Sequence, residues 1–302
     1  MTDWKNSLIA TAVGGLSGTA IGLVAFFLLT SRYYPNMGGT LFLAAPVAAG
    51  FSIALVSRKG HSWVAAVLLS VICSLILLVA LGKEGTLCAI LAFPIVVAGM
   101  LIGIGIGVLA GKLVNRARNQ NITMGVLLLF APASIFASAQ IERPLFQRPR
   151  IEVVQTSLEV NDTPERVWNR ILSVDSVQAS KPLLMYIGLP IPERCTMQGE
   201  GIGARRTCYF NAGYIEETVT AWNPPYRLGL SIDRTHMPGR HWLSFERAEY
   251  QMQADGAATL LTRTTTVSSR LHPSWYWRPF ERLGVESEHN YILRDVALKA
   301  GR

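Results

Sequence analysis

The feature that most constrains this chain is a series of long stretches without a charged side chain. Residues 8–29, 40–57, 63–82 and 86–111 contain no Asp, Glu, Lys or Arg. A helix crosses the apolar part of a bilayer with about 20 mostly apolar residues. A soluble core rarely supplies uncharged runs of that length, so these four stretches predict membrane-spanning helices. A fifth uncharged run, 122–141, is interrupted by Pro132, Ser134, Ser138 and Gln140. With the basic residues before it and Ala137-Ser138-Ala139 near its end, it also has the form of a secretory signal. Its place behind four spans favours a fifth helix.

Charge divides the chain into two unlike parts. Residues 1–140 hold eight basic and two acidic side chains, and 141–302 hold 20 basic and 18 acidic ones. The formal net charge of +8 therefore comes largely from short loops between apolar runs. That distribution excludes a nucleic-acid footprint, which would gather basic side chains on one folded face. The expected layout is an all-α transmembrane bundle over 1–141, a linker over 142–150 (ERPLFQRPR, read as a short stiff connection), and a folded domain over 151–302.

Basic loops orient such a bundle. An N-terminus inside collects Lys5, Arg58, Lys59, Lys112, Arg116 and Arg118 on the inner side, against Arg32 and Lys83 outside. Five spans then carry the C-terminal domain out of the cytoplasm, and four would leave it inside. The expected location is the cell (cytoplasmic) membrane, multi-pass, with that domain extracytoplasmic. Gly14, Gly18 and Gly22, and Gly99, Gly103, Gly107 and Gly111, each mark one helix face that admits another backbone closely. Packing within the bundle is the plain use of such faces, and a homo-oligomer contact is the other. The spans contain no ionisable side chain, which argues against a proton or ion pathway and for an anchor or platform.

The second half alternates differently. Residues 151–160 are rich in β-branched residues and predict a strand. Asp162-Thr163-Pro164-Glu165 opens a helix, with Asp162 or Thr163 as cap and Pro164 at its first position. From 193 to 269, turn residues at Gly199-Glu200-Gly201, Asn211-Ala212-Gly213, Asn223-Pro224-Pro225, Pro238-Gly239 and Asp255-Gly256 separate about six strands. Residues 274–300 form a long amphipathic helix. A curved antiparallel sheet around one long C-terminal helix is an α+β helix-grip architecture, and it encloses space for an apolar ligand between the two.

Three stretches carry a family resemblance: VVQTSLEVNDTPERVWNRIL, GEGIGARRTCYFNAGYIEETVTAW, and HPSWYW with EHNYIL. Together they resemble the START-like SRPBCC superfamily, in its polyketide cyclase/dehydrase and lipid-transport branch. The resemblance covers the soluble half and implies the helix-grip fold. It leaves activity open, because such folds host carriers, receptors and enzymes.

Strand alternation selects candidate ligand contacts. Arg206, Cys208 and Phe210 share one face of their strand, and Ile215, Glu217 and Val219 share one face of the next. A turn at Asn211–Tyr214 sets Arg206 opposite or diagonal to Glu217, and an inward pair of charges must be an ion pair. His289 lies on the apolar stripe of the last helix, as a satisfied core residue or as a ligand contact. Tyr276 and Trp277 open that helix beside Trp275, at a cavity mouth, at a membrane interface or in ordinary packing. Cys73, Cys88, Cys195 and Cys208 make neither a metal cluster nor a disulfide framework, although Cys195 and Cys208 fall on neighbouring strands that an oxidising compartment could join. No cofactor, metal or catalytic residue is expected. The reading is a membrane-anchored, non-catalytic protein that binds or transfers a hydrophobic ligand, lipid or polyketide-like. A cyclase or dehydratase using His289 with Glu217, and a structural or regulatory protein with a vestigial cavity, are the alternatives.

Overall fold

The structure is a computed structural model that describes residues 2–30, 38–56, 63–114, 120–145, 148–237 and 242–300. The chain divides into two compact units, the first made of Met1–Glu84, Cys88–Arg148 and Arg270–Ser274, the second of Gly85–Leu87, Pro149–Ser269 and Trp275–Arg302.

The first unit is helical. It contains α1 (Thr2–Leu29), a π-helical turn (Thr40–Ala44) running into α2 (Ala45–Val56), α3 (Trp63–Ala80), α4 (Thr86–Val114) and α5 (Gln120–Leu145). Among the described residues, three helices are long and apolar enough to cross a membrane, at Ser7–Leu29, Trp63–Ala80 and Thr86–Lys112. The second apolar run forms a shorter helix, Thr40–Leu55. The fifth run is helical as expected, but its helix continues through Glu142, Arg143, Pro144 and Leu145. The first part of 142–150 is thus folded rather than a linker. Pro144 lies in the final turn, and the Glu142 carboxylate has a partner across the bundle, accepting from the Thr40 backbone N–H at 2.7 Å. Arg32, Arg58, Lys59, Arg116 and Arg118 of the orientation argument, and the turn at Pro238-Gly239, lie outside the described residues.

Both glycine repeats are used inside this unit. A Cβ on Gly103 would lie 2.0 Å from the Val47 carbonyl oxygen, and one on Gly107 would lie 2.7 Å from the Ala54 Cβ. A Cβ on Gly18 would lie 2.6 Å from the Ser70 hydroxyl. The close backbone approach is therefore taken up by α2 against α4 and by α1 against α3. Ile53, Val67, Val71, Met100 and Ile104 share the resulting core.

The second unit is a seven-stranded antiparallel sheet with three helices. The strands are β1 (Arg150–Val160), β2 (Pro192–Gln198), β3 (Arg205–Phe210), β4 (Gly213–Asn223), β5 (Arg227–His236), β6 (Leu243–Asp255) and β7 (Ala258–Ser269). The helices are α6 (Pro164–Leu172), the short α7 (Leu183–Tyr186) and α8 (Ser274–Lys299). The sheet order is β1-β7-β6-β5-β4-β3-β2. β2 to β7 form a meander, and β1 joins β7 at the far edge. Irregular register on β4–β5 at Glu216/Glu217 and on β6–β7 at Phe245/Arg247 bends the ladder, as an extra residue on one strand does. Val219, Leu228, Leu230, Tyr250, Met252 and Leu261 pack with Trp168 of α6 and with Leu293 and Val296 of α8. This is the helix-grip architecture expected from the sequence.

α6 starts at Pro164 with Thr163 at the cap position, and no side chain bonds its first turn. Asp162 instead accepts from the Thr163 N–H at 2.9 Å and pairs with Arg170 at 2.7 Å. The expected cap thus acts as an anchor for the helix flank.

Candidate functional site

Inward residues follow from the pleat. On β7 the side chains of Leu261, Arg263, Thr265, Val267 and Ser269 turn toward α8, where they meet Leu293, Glu288, His289, Val285 and Glu281. On β1, Val154 and Thr156 share that face. On β4 it carries Glu217 and Val219, and on β3 it carries Arg206 and Cys208.

Two ion pairs are buried on this face. Arg206 and Glu217 are directly opposed in the β3–β4 register. The two-residue turn between them closes at Gly213, where φ is 148° and a Cβ would lie 1.9 Å from the His236 carbonyl oxygen. Arg206 Nη1 donates to Glu217 Oε2 at 2.7 Å, and Nη2 donates to the Ile171 carbonyl at 3.2 Å. The second pair was not anticipated. Arg263 Nη1 and Nη2 donate to Glu288 Oε1 and Oε2, each at 3.0 Å, the bidentate geometry that suits a guanidinium. Arg263 also lies 5.3 Å from the centre of the buried Tyr250 ring.

The pairs share one electrostatic environment. Burial works to lower the Arg206 guanidinium, but the adjacent Glu217 carboxylate and then Tyr250 keep it above its ordinary value. Burial works to lower the Arg263 guanidinium as well, and Glu288, Tyr250 and Glu217 raise it on balance. Both stay permanently charged. Among the described residues the Nε of each has no hydrogen-bond partner.

His289 sits beside them and is fully buried. Its Nε2 bonds the Thr265 hydroxyl at 2.7 Å and its Nδ1 bonds the Thr156 hydroxyl at 3.1 Å. Burial, assisted by the Arg263 charge, pushes its pKa down to about 2. The imidazole is neutral, with one nitrogen donating and the other accepting. Buried carboxylates fix the two ends of α8 around this centre. Glu281 accepts from Ser269 Oγ at 2.5 Å and pairs with Arg150, and Asp295 accepts from the Gln178 N–H at 2.6 Å.

The other expected ligand contacts divide. Val219 lies in the main apolar core. Cys208 is bonded to Cys195, its direct partner across β2–β3, with Cα atoms 4.1 Å apart. The cysteines were not expected to form a disulfide framework, but the one bond left open for an oxidising compartment, Cys195–Cys208, is present. These strands face each other in a register that a sequence cannot fix. Phe210 packs against this disulfide with Val174 and Ile215. Tyr276 meets Trp275, Trp277 and Phe280 edge-on at the start of α8, and the buried Trp277 belongs to that aromatic group. Arg206, Glu217 and Cys208 are gathered together, with the Cys208 sulfur 3.8 Å from Glu217 Oε2 and Phe210 packed on the disulfide. His289 lies between Thr265 and Thr156, and Tyr276 and Trp277 lie in the aromatic group at the start of α8. Among the described residues no group of three His, Cys, Asp or Glu is arranged to hold a metal ion.

No protein-family model and no curated protein matches the chain. Solved structures similar to it cover its second half. The Zhui aromatase/cyclase from Streptomyces sp. R1128 is 16% identical, covers 51% of this chain and 95% of its own, and has a TM-score of 0.37. A protein from Nitrosospira multiformis is 18% identical over 49% of this chain and 95% of its own, with a TM-score of 0.34. The Aha1 dimer from Colwellia psychrerythraea is 13% identical over 47% and 96%, with a TM-score of 0.30. The class of the second unit rests on its own strand order and gripped helix: it is a helix-grip domain carried behind a group of apolar helices.

Proposed function

We propose that the second unit binds a hydrophobic molecule, of lipid or polyketide-like character, on the concave face beside the two ion pairs, and that the apolar helices hold it at a membrane. One observation carries the reading. Four charged side chains, Arg206, Glu217, Arg263 and Glu288, are gathered on the face that the sheet turns to α8, beside the neutral His289 and against a core of apolar residues. Buried pairs of this kind seldom add stability over well-packed apolar residues. Their place in a core is therefore better explained by a polar group they receive.

Leu293 and Val296 join the sheet in a shared core, which supports a ligand region nearer the middle of α8. The alternative of a cyclase or dehydratase needs a base and an acid on one ligand. His289 spends both nitrogens on threonines and has almost no basicity, which favours binding without turnover. The Cys195–Cys208 bond suits an oxidising compartment. With basic loops that favour an inner N-terminus, and five helices ahead of the domain, it supports an extracytoplasmic domain on a cytoplasmic membrane. Organic extraction of the purified full-length protein, after detergent washing, tests the reading. A single apolar species released at about one per chain is expected. An extract that matches the bulk lipid of the preparation would overturn it.

A further inference from the structure

The two buried guanidiniums have different donor accounts but the same remainder. Arginine has five N–H groups and no acceptor. Arg206 uses Nη1 on Glu217 and Nη2 on the Ile171 carbonyl, and Arg263 uses both Nη atoms on Glu288. In each, the Nε–H is buried without a partner among the described residues. A buried donor left unmade costs about 1–3 kcal/mol. Two such donors lie on one concave face, with Tyr250 close enough to act on both cations.

We infer that this site takes a neutral apolar molecule through an acceptor oxygen, of ester or ketone type, received by the Nε–H groups of Arg206 and Arg263, and that it discriminates against carboxylate ligands. The inference rests on the ligand site proposed above and names its chemical class. What the arginines leave over is donor capacity, so the group received must accept. Each guanidinium is already neutralised by its own glutamate. A ligand carboxylate would be a third negative charge in a buried, balanced set, and an uncompensated buried charge costs several kcal/mol. A carbonyl oxygen has two lone pairs and adds no charge.

The test uses the full-length protein in phosphatidylcholine nanodiscs at pH 8. Three matched C16 diazirine photoprobes are compared: a methyl ester, the free acid and the plain hydrocarbon. Labelling of peptides from β3, β4, β7 and α8 is measured by mass spectrometry and normalised to labelling of α1–α5. The ester is expected to label the concave face about tenfold or more above both other probes, the ratio of roughly one charge-assisted hydrogen bond. In the charge-balanced double variant Arg263→Gln/Glu288→Gln, with the thermal transition checked, the ester falls toward the hydrocarbon. Arg206→Lys keeps the charge but loses the Nε donor, and it reduces ester labelling in the same direction. Acid labelling equal to or above the ester overturns the inference. Equal concave-face labelling by ester and hydrocarbon also overturns it while leaving hydrophobic binding intact. Absence of concave-face labelling by all three removes the binding site itself.

Discussion

Arg206 and Glu217 stand directly opposite each other on β3 and β4, and their side chains meet at 2.7 Å with 4% and 3% of their surface exposed. Neither charge has water to fall back on. Removing one partner leaves the other buried and uncompensated, which costs about 3–5 kcal/mol. Glu217→Leu and Arg206→Met should each destabilise the second unit by that order, and the double variant by much less. Chemical denaturation of the full-length protein, followed through the tryptophans of the second unit, measures the cycle. Additive single effects would show that the two side chains do not act as a pair.

His289 gives a pH dependence with a definite sign. Its folded pKa of about 2 lies below the ordinary value of 6.5, so the unfolded chain takes up a proton that the folded one refuses. The contribution of the neutral, threonine-bonded ring is complete above about pH 6.5. It is lost as pH falls toward 2, with a limiting slope of about 1.4 kcal/mol per pH unit for one proton. Stability measured between pH 7.5 and 5 should decline more steeply in the wild type than in His289→Gln. Parallel declines would show that the ring titrates normally.

The Cys195–Cys208 bond predicts a labelling pattern. In intact cells, a membrane-impermeant maleimide should modify neither cysteine before reduction. After mild reduction under partly unfolding conditions it should modify both, if the domain faces an oxidising compartment. Peptide mapping distinguishes these sites from Cys73 and Cys88. Free thiols at 195 and 208 in freshly prepared protein would place the domain in a reducing compartment.

In the helical unit, Gly103 and Gly105 form a matched control. A Cβ at Gly103 meets the Val47 carbonyl oxygen at 2.0 Å, while one at Gly105 meets nothing within 4 Å. Gly103→Ala should lower the thermal stability of the detergent-solubilised protein by several degrees, and Gly105→Ala should leave it unchanged. The two are scored by thermal shift with size-exclusion recovery. Equal behaviour would show that α2 and α4 do not approach as closely as described.

Period-two alternation and a short turn were enough to place Arg206 against Glu217, because both the facing and the pairing are local to one hairpin. The Arg263–Glu288 pair was not legible. It joins a strand to a helix, and nothing in either segment states how α8 is rotated against β7. Arg263 does stand between Leu261 and Thr265 on the inward face, and Glu288 precedes His289 on the inner side of the helix, so each half of the signal was present. The disulfide required the β2–β3 register, which a glycine-rich turn of six residues leaves free. The helical course of Glu142–Leu145 was hidden by Pro144, whose usual meaning is a boundary.

Native mass spectrometry of the full-length protein, released from nanodiscs, tests most directly whether the concave face holds a ligand. The comparison is with Ile232→Trp. Ile232 lies opposite Glu217 on β5 and packs against the main core, so a larger ring at this position crowds the face that carries the ion pairs. The account predicts one defined apolar adduct per wild-type chain, lost in a folded Ile232→Trp protein with its disulfide intact. A wild-type chain that flies without an adduct, or an adduct that Ile232→Trp retains, would contradict it.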